Sequence, residues 1–477
     1  MIDVILALRL TRETVRLTAA VWTTAAIAFA VTGSAGAARS APGTVAWPKG
    51  TAVVTYESQV ALAAALAENP ALVVRRLPSL RAVEVLPAGD VAHFAAEVSG
   101  LPGIDRVERR LPRRPLVEPA LAVTATAGPL QWQFAATRID LVPESVLRAA
   151  ASQTVAVIDT GADLGAPDLA AKTPLTHSVR TRSGDVSDRN GHGTFVASLA
   201  GGARANGEGI AGSGGDARLV IVQAGGSDGS FSDVEEAAAI VWAVDHGARI
   251  LNLSLGGPDT SVIERRAVDY AVSKGALLVA AVGNGYDEGS PLEYPAALLQ
   301  PPGSRGAGGV GLAVAASTRS GARARFSTTG TSLSLAAPGE SVFAAVSSLA
   351  PASRYPRATL PGSTAGLYGY GSGTSFAAPQ VAGAAALVWA ANPGLRADEV
   401  ASILEQTASG KGAWTAELGY GVLDVAAAVA QAQGTQDGSV IRLEGRREGR
   451  RVTLAWPGRA GMAYRVLLAR DGGPSRF

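Results

Sequence analysis

The chain has 477 residues, 47% of them hydrophobic, and its 42 Lys and Arg against 40 Asp and Glu leave a formal charge of +2. That length and apolar content provide for one large core plus appendages and exclude a disordered chain. The balanced charge, with no basic stripe interleaved with aromatics, gives no footprint of nucleic-acid binding, and the absence of cysteine excludes disulfides, thiolate zinc sites and a cysteine nucleophile.

At the start of the chain, Arg9, Arg12 and Arg16 precede an apolar stretch from Leu17 to Val31 and the small-residue run Gly33-Ser34-Ala35-Gly36-Ala37-Ala38. The apolar stretch is shorter than the roughly 20 residues a spanning helix needs. Residues 1–38 therefore read as a signal peptide cleaved in the small-residue run, with an uncleaved anchor as the alternative. From Thr51 to Arg110 the pattern gives strands at Ala52–Tyr56, Leu72–Leu77, Arg81–Leu86 and Ile104–Glu108 and helices at Gln59–Leu66 and Asp90–Val98. That β-α-β-β-α-β order predicts a small ferredoxin-like unit. The arginine run Arg109 to Pro115 and the Ala/Thr/Pro-rich segment to Gly128 read as an exposed linker, either a processing site or a solvated charge run.

Strand and helix signals then alternate. Thr154–Ile158 is a buried strand ending in Asp159-Thr160-Gly161, and Leu219–Val222, Ile250–Leu255 and Ala276–Val282 are further strands. Ser232-Asp233-Val234-Glu235 is a capping box opening a helix that stops before Gly247. Short apolar strands between amphipathic helices predict a mainly parallel sheet covered on both faces, and the C-terminal strand edge, where Asp159 falls, is where such sheets carry their sites.

A serine that attacks a carbonyl needs a histidine base and a carboxylate to orient it. Of the four histidines, His93 lies in a predicted helix, His177 in a polar loop and His246 at a helix end; only His192 sits in a Gly-rich turn, Asp188-Arg189-Asn190-Gly191-His192-Gly193-Thr194. Gly373-Thr374-Ser375-Phe376-Ala377-Ala378-Pro379 puts Ser375 where a loop becomes an Ala-rich helix, a position whose free N–H groups favour a developing anion. A Ser/Thr helix cap is the ordinary reading of such a motif taken alone.

Asp-Thr-Gly, then Gly-His-Gly-Thr, then Gly-Thr-Ser-x-Ala-x-Pro, in that order, resembles the subtilisin-like serine peptidases, the subtilases. Asp-Thr-Gly also occurs in aspartic peptidases, but that reading leaves His192 and Ser375 without a role. The order Asp, His, Ser also differs from that of α/β-hydrolases. The resemblance covers about Leu130 to Val429 and implies a triad of Asp159, His192 and Ser375. It further implies an oxyanion donor at Asn284 in Gly283-Asn284-Gly285, and a substrate-binding edge at Ser254, Leu255, Gly256 and Gly257. Glu293-Tyr294-Pro295-Ala296 is similar to the stretch forming the floor of the family's primary specificity pocket, where a carboxylate would attract Arg or Lys; an exposed surface Glu293 is the alternative. Asp168 and Asn206 resemble ligands of a structural calcium, with an ordinary turn as the alternative, and no cofactor is implied for catalysis. Phe376 and Gln380 stand where the family commonly has methionine and histidine.

By the same resemblance, residues 39–128 would be a propeptide, with its ferredoxin-like core at about 51–110, acting as an intramolecular inhibitor, and residues 129–434 the catalytic domain. Residues 435–477, with strands at Val440–Leu443, Val452–Trp456 and Tyr464–Leu468, look like a β-rich segment, either a small appendage or an incomplete sandwich. The implied protein is a bacterial endopeptidase, secreted or held at the cell envelope, monomeric, acting on protein or peptide substrates and without a membrane span after signal cleavage. A non-catalytic binding protein on the same fold, or a peptide ligase or cyclase using the same acyl-enzyme, are the alternatives.

Overall fold

A computed structural model describes residues 50–118, 130–207, 209–355, 357–358, 367–436, 444–448 and 451–455. The signal-peptide segment and the strands expected at Val440–Leu443 and Tyr464–Leu468 lie outside the described residues. Among those described, no helix is long and apolar enough to cross a membrane.

The N-terminal unit comprises β1 (Ala52–Tyr56), α1 (Gln59–Glu68), β2 (Ala71–Leu77), β3 (Ala82–Pro87), α2 (Val91–Val98) and β4 (Ile104–Arg109). Its sheet has the order β2-β3-β1-β4 with every pairing antiparallel. Ser58 caps α1 by accepting from the Ala61 N–H, and Asp90 caps α2 by accepting from the His93 N–H. Alternation along β1 divides its side chains. Ala52, Val54 and Tyr56 pack with Leu62 and Phe94 of the unit's own helices, while Val53 joins the core of the following domain. The chain continues into β5 (Pro112–Pro115). Arg113 there is only 2% exposed, so this part of the run is not the exposed linker its charge suggested.

The larger domain is built from β6 (Thr154–Asp159), β7 (Leu175–Ser178), α3 (His192–Gly201), β8 (Arg218–Gln223), β9 (Phe231–Ser232) and α4 (Asp233–Asp245). It continues with β10 (Ile250–Leu253), β11 (Leu255–Gly256), α5 (Val262–Ser273), β12 (Leu277–Ala281), β13 (Leu312–Ser317), β14 (Leu335–Pro338) and α6 (Thr374–Ala391). Seven strands form one sheet of order β14-β13-β12-β10-β6-β8-β7, all of whose pairings are parallel. Period-2 alternation sends Val155 and Val157 to the face covered by α3 and α6, and Ala156 and Ile158 to the face covered by α4 and α5. This is the α/β architecture the alternating signals predict. Ser232 caps α4, its Oγ accepting from the Glu235 N–H, but the Glu235 carboxylate accepts from Ser232 Oγ rather than from the Ser232 N–H, so the expected capping box is only half formed.

Residues Glu444–Glu448 and Arg451–Ala455 pair as an antiparallel hairpin. The second strand overlaps the expected Val452–Trp456.

Candidate active site

Asp159 ends β6 at the C-terminal edge of the sheet, where its carboxylate accepts from the Thr160 N–H. His192 opens α3 after a turn wound around Asp188. That carboxylate is wholly buried and accepts from Thr160 Oγ1, the Asn190, Gly191 and Thr194 N–H groups and Thr194 Oγ1. Five donors in place of a countercharge hold the anion and fix the turn. The result brings His192 Nδ1 to 2.8 and 3.0 Å from the two Asp159 carboxylate oxygens. A carboxylate can only accept, so Nδ1 carries the hydrogen and Nε2 is left as the basic nitrogen. Nε2 is buried and has no partner among the described residues.

Ser375 stands in the first turn of α6. Its own carbonyl would ordinarily accept from the N–H four residues on, but that residue is Pro379, which has none. Ser254 Oγ donates to the freed carbonyl at 2.7 Å, and Ser254 Oγ is itself bonded by Asn252 Nδ2 at 2.8 Å, tying the helix start to the end of β10. Ser375 Oγ donates to the Ser254 carbonyl at 2.8 Å. Asn284, just past β12, uses its carbonyl oxygen to accept from the Thr374 N–H at 3.0 Å and Thr374 Oγ1 at 2.9 Å. Its Nδ2 group finds no partner of hydrogen-bond geometry among the described residues. The nearby Glu118 carboxyl is pushed up by burial and drawn partly back by the Asn284 side chain.

The cleft between these groups holds the chain's own segment. β5 is the middle strand of a three-stranded sheet β11-β5-β9, with Pro115 opposite Leu255 and Arg114 opposite Gly256 on one side, and Arg113 opposite Phe231 on the other. Beyond β5, the Leu116 N–H donates to Ser375 Oγ at 2.9 Å, the Ser375 N–H donates to the Leu116 carbonyl at 3.1 Å, and the Glu118 N–H donates to the Ser372 carbonyl at 2.8 Å. This approach requires Gly373. Its φ is +152°, and a Cβ there would lie 2.6 Å from the Leu116 carbonyl oxygen.

The expected substrate edge, Ser254 to Gly257, is the strand against which β5 lies. Glu293 is 5% exposed, so it is not the surface group of the alternative reading; its two oxygens take Arg114 Nη1 at 3.2 Å and Nη2 at 2.7 Å. Asp168 and Asn206 are brought together, but as a hydrogen-bonded pair. Asp168 also accepts from the Ile210 N–H and the Tyr368 hydroxyl. Both side chains are thus engaged in hydrogen bonds, and among the described residues no three His, Cys, Asp or Glu side chains gather as a metal site.

Sequence reasoning passed over Asp188, Glu236 and Glu264. The first stands in the quoted turn, where an Asp before Gly-His-Gly signalled only a loop. The two glutamates lie on α4 and α5 and meet Arg113 in the interior.

A serine at a helix start, a buried His–Asp pair and an asparagine amide at one edge of a parallel sheet are the kinds of group a serine hydrolase draws on. The Subtilase family's sequence profile matches residues 151–421. Thermitase of Thermoactinomyces vulgaris is 33% identical over 266 residues, covering 55% of this chain and 84% of the relative. The thermophilic serine proteinase of Bacillus sp. strain AK1 is 35% identical over 263 residues, covering 55% of this chain and 58% of the relative's own length. The crystal structure of fervidolysin from Fervidobacterium pennivorans, a keratinolytic enzyme related to subtilisin, superposes with a TM-score of 0.70 at 25% identity, covering 84% of this chain and 62% of that one. The chain belongs to the subtilase family.

Proposed function

We propose that the chain is a secreted serine endopeptidase made as a self-processing precursor. Asp159 orients His192 and stabilises its charged form; His192 takes the Ser375 hydroxyl proton as Oγ attacks a substrate carbonyl carbon. The Ser375 N–H and Asn284 Nδ2 then hold the oxyanion. The C–N bond breaks, His192 gives its proton to the leaving amine, and water, deprotonated by His192, releases the acyl group from Ser375. The observation that carries this reading is the Leu116 carbonyl resting on the Ser375 N–H, which makes Leu116–Val117 the first bond to be cut.

The N-terminal unit supports the precursor reading, with residues 39–128 as propeptide, of which 39–116 leave at this first cut and 117–128 in later trimming, and its ferredoxin-like part as inhibitor. Its sheet order is that of a ferredoxin-like unit, and it ends in the strand that fills the cleft. Residues 129–434 are proposed as the catalytic domain and 435–477 as an appendage. Secretion rests on the signal-peptide pattern, and the relatives named above are bacterial. A structural calcium at Asp168 and Asn206, which would take their side-chain oxygens in place of their mutual hydrogen bond, stays part of the proposal.

The test is incubation of the processed protein with an unstructured protein and with an organofluorophosphate, each followed by intact mass. Fragment pairs summing to the parent plus one water, and a single adduct on Ser375 that Ser375→Ala lacks, support the reading. Substrate cut equally by Ser375→Ala would overturn it, and joined rather than hydrolysed products would move it to a ligase.

A further inference from the structure

Arg113 is the most deeply buried charge on β5. Its Nε donates to a Glu236 carboxylate oxygen at 3.0 Å and its Nη2 stands 2.8 Å from a Glu264 oxygen, with all three side chains fully shielded from solvent. Nη1 turns back to the Pro112 carbonyl, so the planar guanidinium bridges two helices. Burial and mutual repulsion push the Glu236 carboxyl up, and burial does the same to Glu264, with Arg113 opposing both shifts. Among the described residues, one oxygen of Glu236 and both of Glu264 make no hydrogen bond even with Arg113 in place, Nη2 meeting Glu264 as an ion pair only. Two buried carboxylates without a cation between them are costly, yet Arg113 lies on the far side of the bond proposed for cutting from the rest of the catalytic domain. Once the N-terminal part leaves, the pocket is left without its cation.

We infer that Glu236 and Glu264 form an arginine-specific subsite of the enzyme, taking the side chain three residues ahead of the one whose carbonyl meets Ser375. Glu293 takes a second arginine one residue later, as it takes Arg114 in the precursor. The substrates are then extended segments reading Arg-Arg-x-apolar before the cut, of which Arg-Arg-Pro-Leu at 113–116 is the chain's own copy. The first position is the stricter. Arg113 is enclosed, and a lysine ammonium, a point charge, cannot bridge two carboxylates as the guanidinium fork does. The Arg114 side chain is 55% exposed, so its pairing is worth less. The proposal rests on the endopeptidase reading above.

The test uses the enzyme after its own processing and quenched peptides spanning Arg-Arg-Pro-Leu-Val-Glu. Alanine in place of the first arginine is expected to lower kcat/KM by about 10²-fold or more and lysine by about 10-fold, with alanine at the second position costing about 10-fold. In Glu264→Gln, or in Glu236→Gln if the first does not fold, the ratio between the arginine-first and alanine-first peptides collapses toward one. A purely structural role for these glutamates would lower stability and leave that ratio intact. Equal cleavage of arginine-first and alanine-first peptides by the wild-type enzyme overturns the subsite and leaves the endopeptidase standing. If no peptide is cut and Ser375 takes no organofluorophosphate, the endopeptidase reading itself has failed, and the subsite falls with it.

Discussion

Leu116 and Ser375 hold each other by two reciprocal hydrogen bonds, the Leu116 N–H to Ser375 Oγ at 2.9 Å and the Ser375 N–H to the Leu116 carbonyl at 3.1 Å. The second places a polarised carbonyl at the helix N-terminus, where an oxyanion would be stabilised. The first, with the bond from Oγ to the Ser254 carbonyl, keeps the hydroxyl proton away from His192. Under the proposed mechanism the reaction therefore begins when that proton turns to His192 Nε2, which is buried and without a partner among the described residues.

Asn284 is expected to act in the transition state rather than in binding. Thr374 fixes its carbonyl end, which aims the Nδ2 donor at fixed cost. Asn284→Ala should lower kcat about 10²- to 10³-fold with KM within a few-fold, the loss known for a single donor of this kind in a subtilisin. Steady-state kinetics on one peptide check it; a change confined to KM would show that the amide serves binding alone.

Gly193 sets the distance between α3 and the end of β6. A Cβ there would lie 2.1 Å from the Gly161 carbonyl oxygen, so Gly193→Ala forces His192 away from Asp159. The expected outcome is a loss of about 1–3 kcal/mol in stability together with a roughly 10²-fold fall in kcat. Denaturant unfolding and kinetics on the same preparation test the pair; normal kcat with reduced stability would uncouple them.

Glu405 makes stability depend on pH. Burial pushes its carboxyl up to about 8 against an ordinary 4.5, opposed by a hydrogen bond with Ser334. Between those values the folded chain keeps a proton that the unfolded chain releases, so this contribution is whole below about 4.5 and lost as pH rises through about 8. Glu405→Gln should gain roughly 2–4 kcal/mol at pH 8 and nothing at pH 4. Urea unfolding in a Ser375→Ala background, which prevents self-digestion, reads the difference, and equal curves at pH 8 would contradict it.

The groups that were legible in the sequence are those whose neighbours are dictated by local backbone. Asp159, His192 and Ser375 each sit in a tight turn of small residues, and an apolar strand or helix beside each motif tells which edge it occupies. The arginine pocket was not legible. Glutamate on an amphipathic helix reads as a solvated face, and Arg113 meets Glu236 across 123 residues of chain, so neither end signals the other. Glu293 illustrates the same limit: it packs against Gly256 and Gly283 and pairs with Arg114 across 179 residues of chain, none of which the sequence around it signals.

The most direct measurement is the intact mass of the freshly folded precursor and of its Ser375→Ala variant, followed over time. The account predicts that wild type breaks first between Leu116 and Val117, giving a C-terminal product that begins at Val117, while the variant stays whole with both halves associated. A first break elsewhere, or the same break in Ser375→Ala, would contradict it.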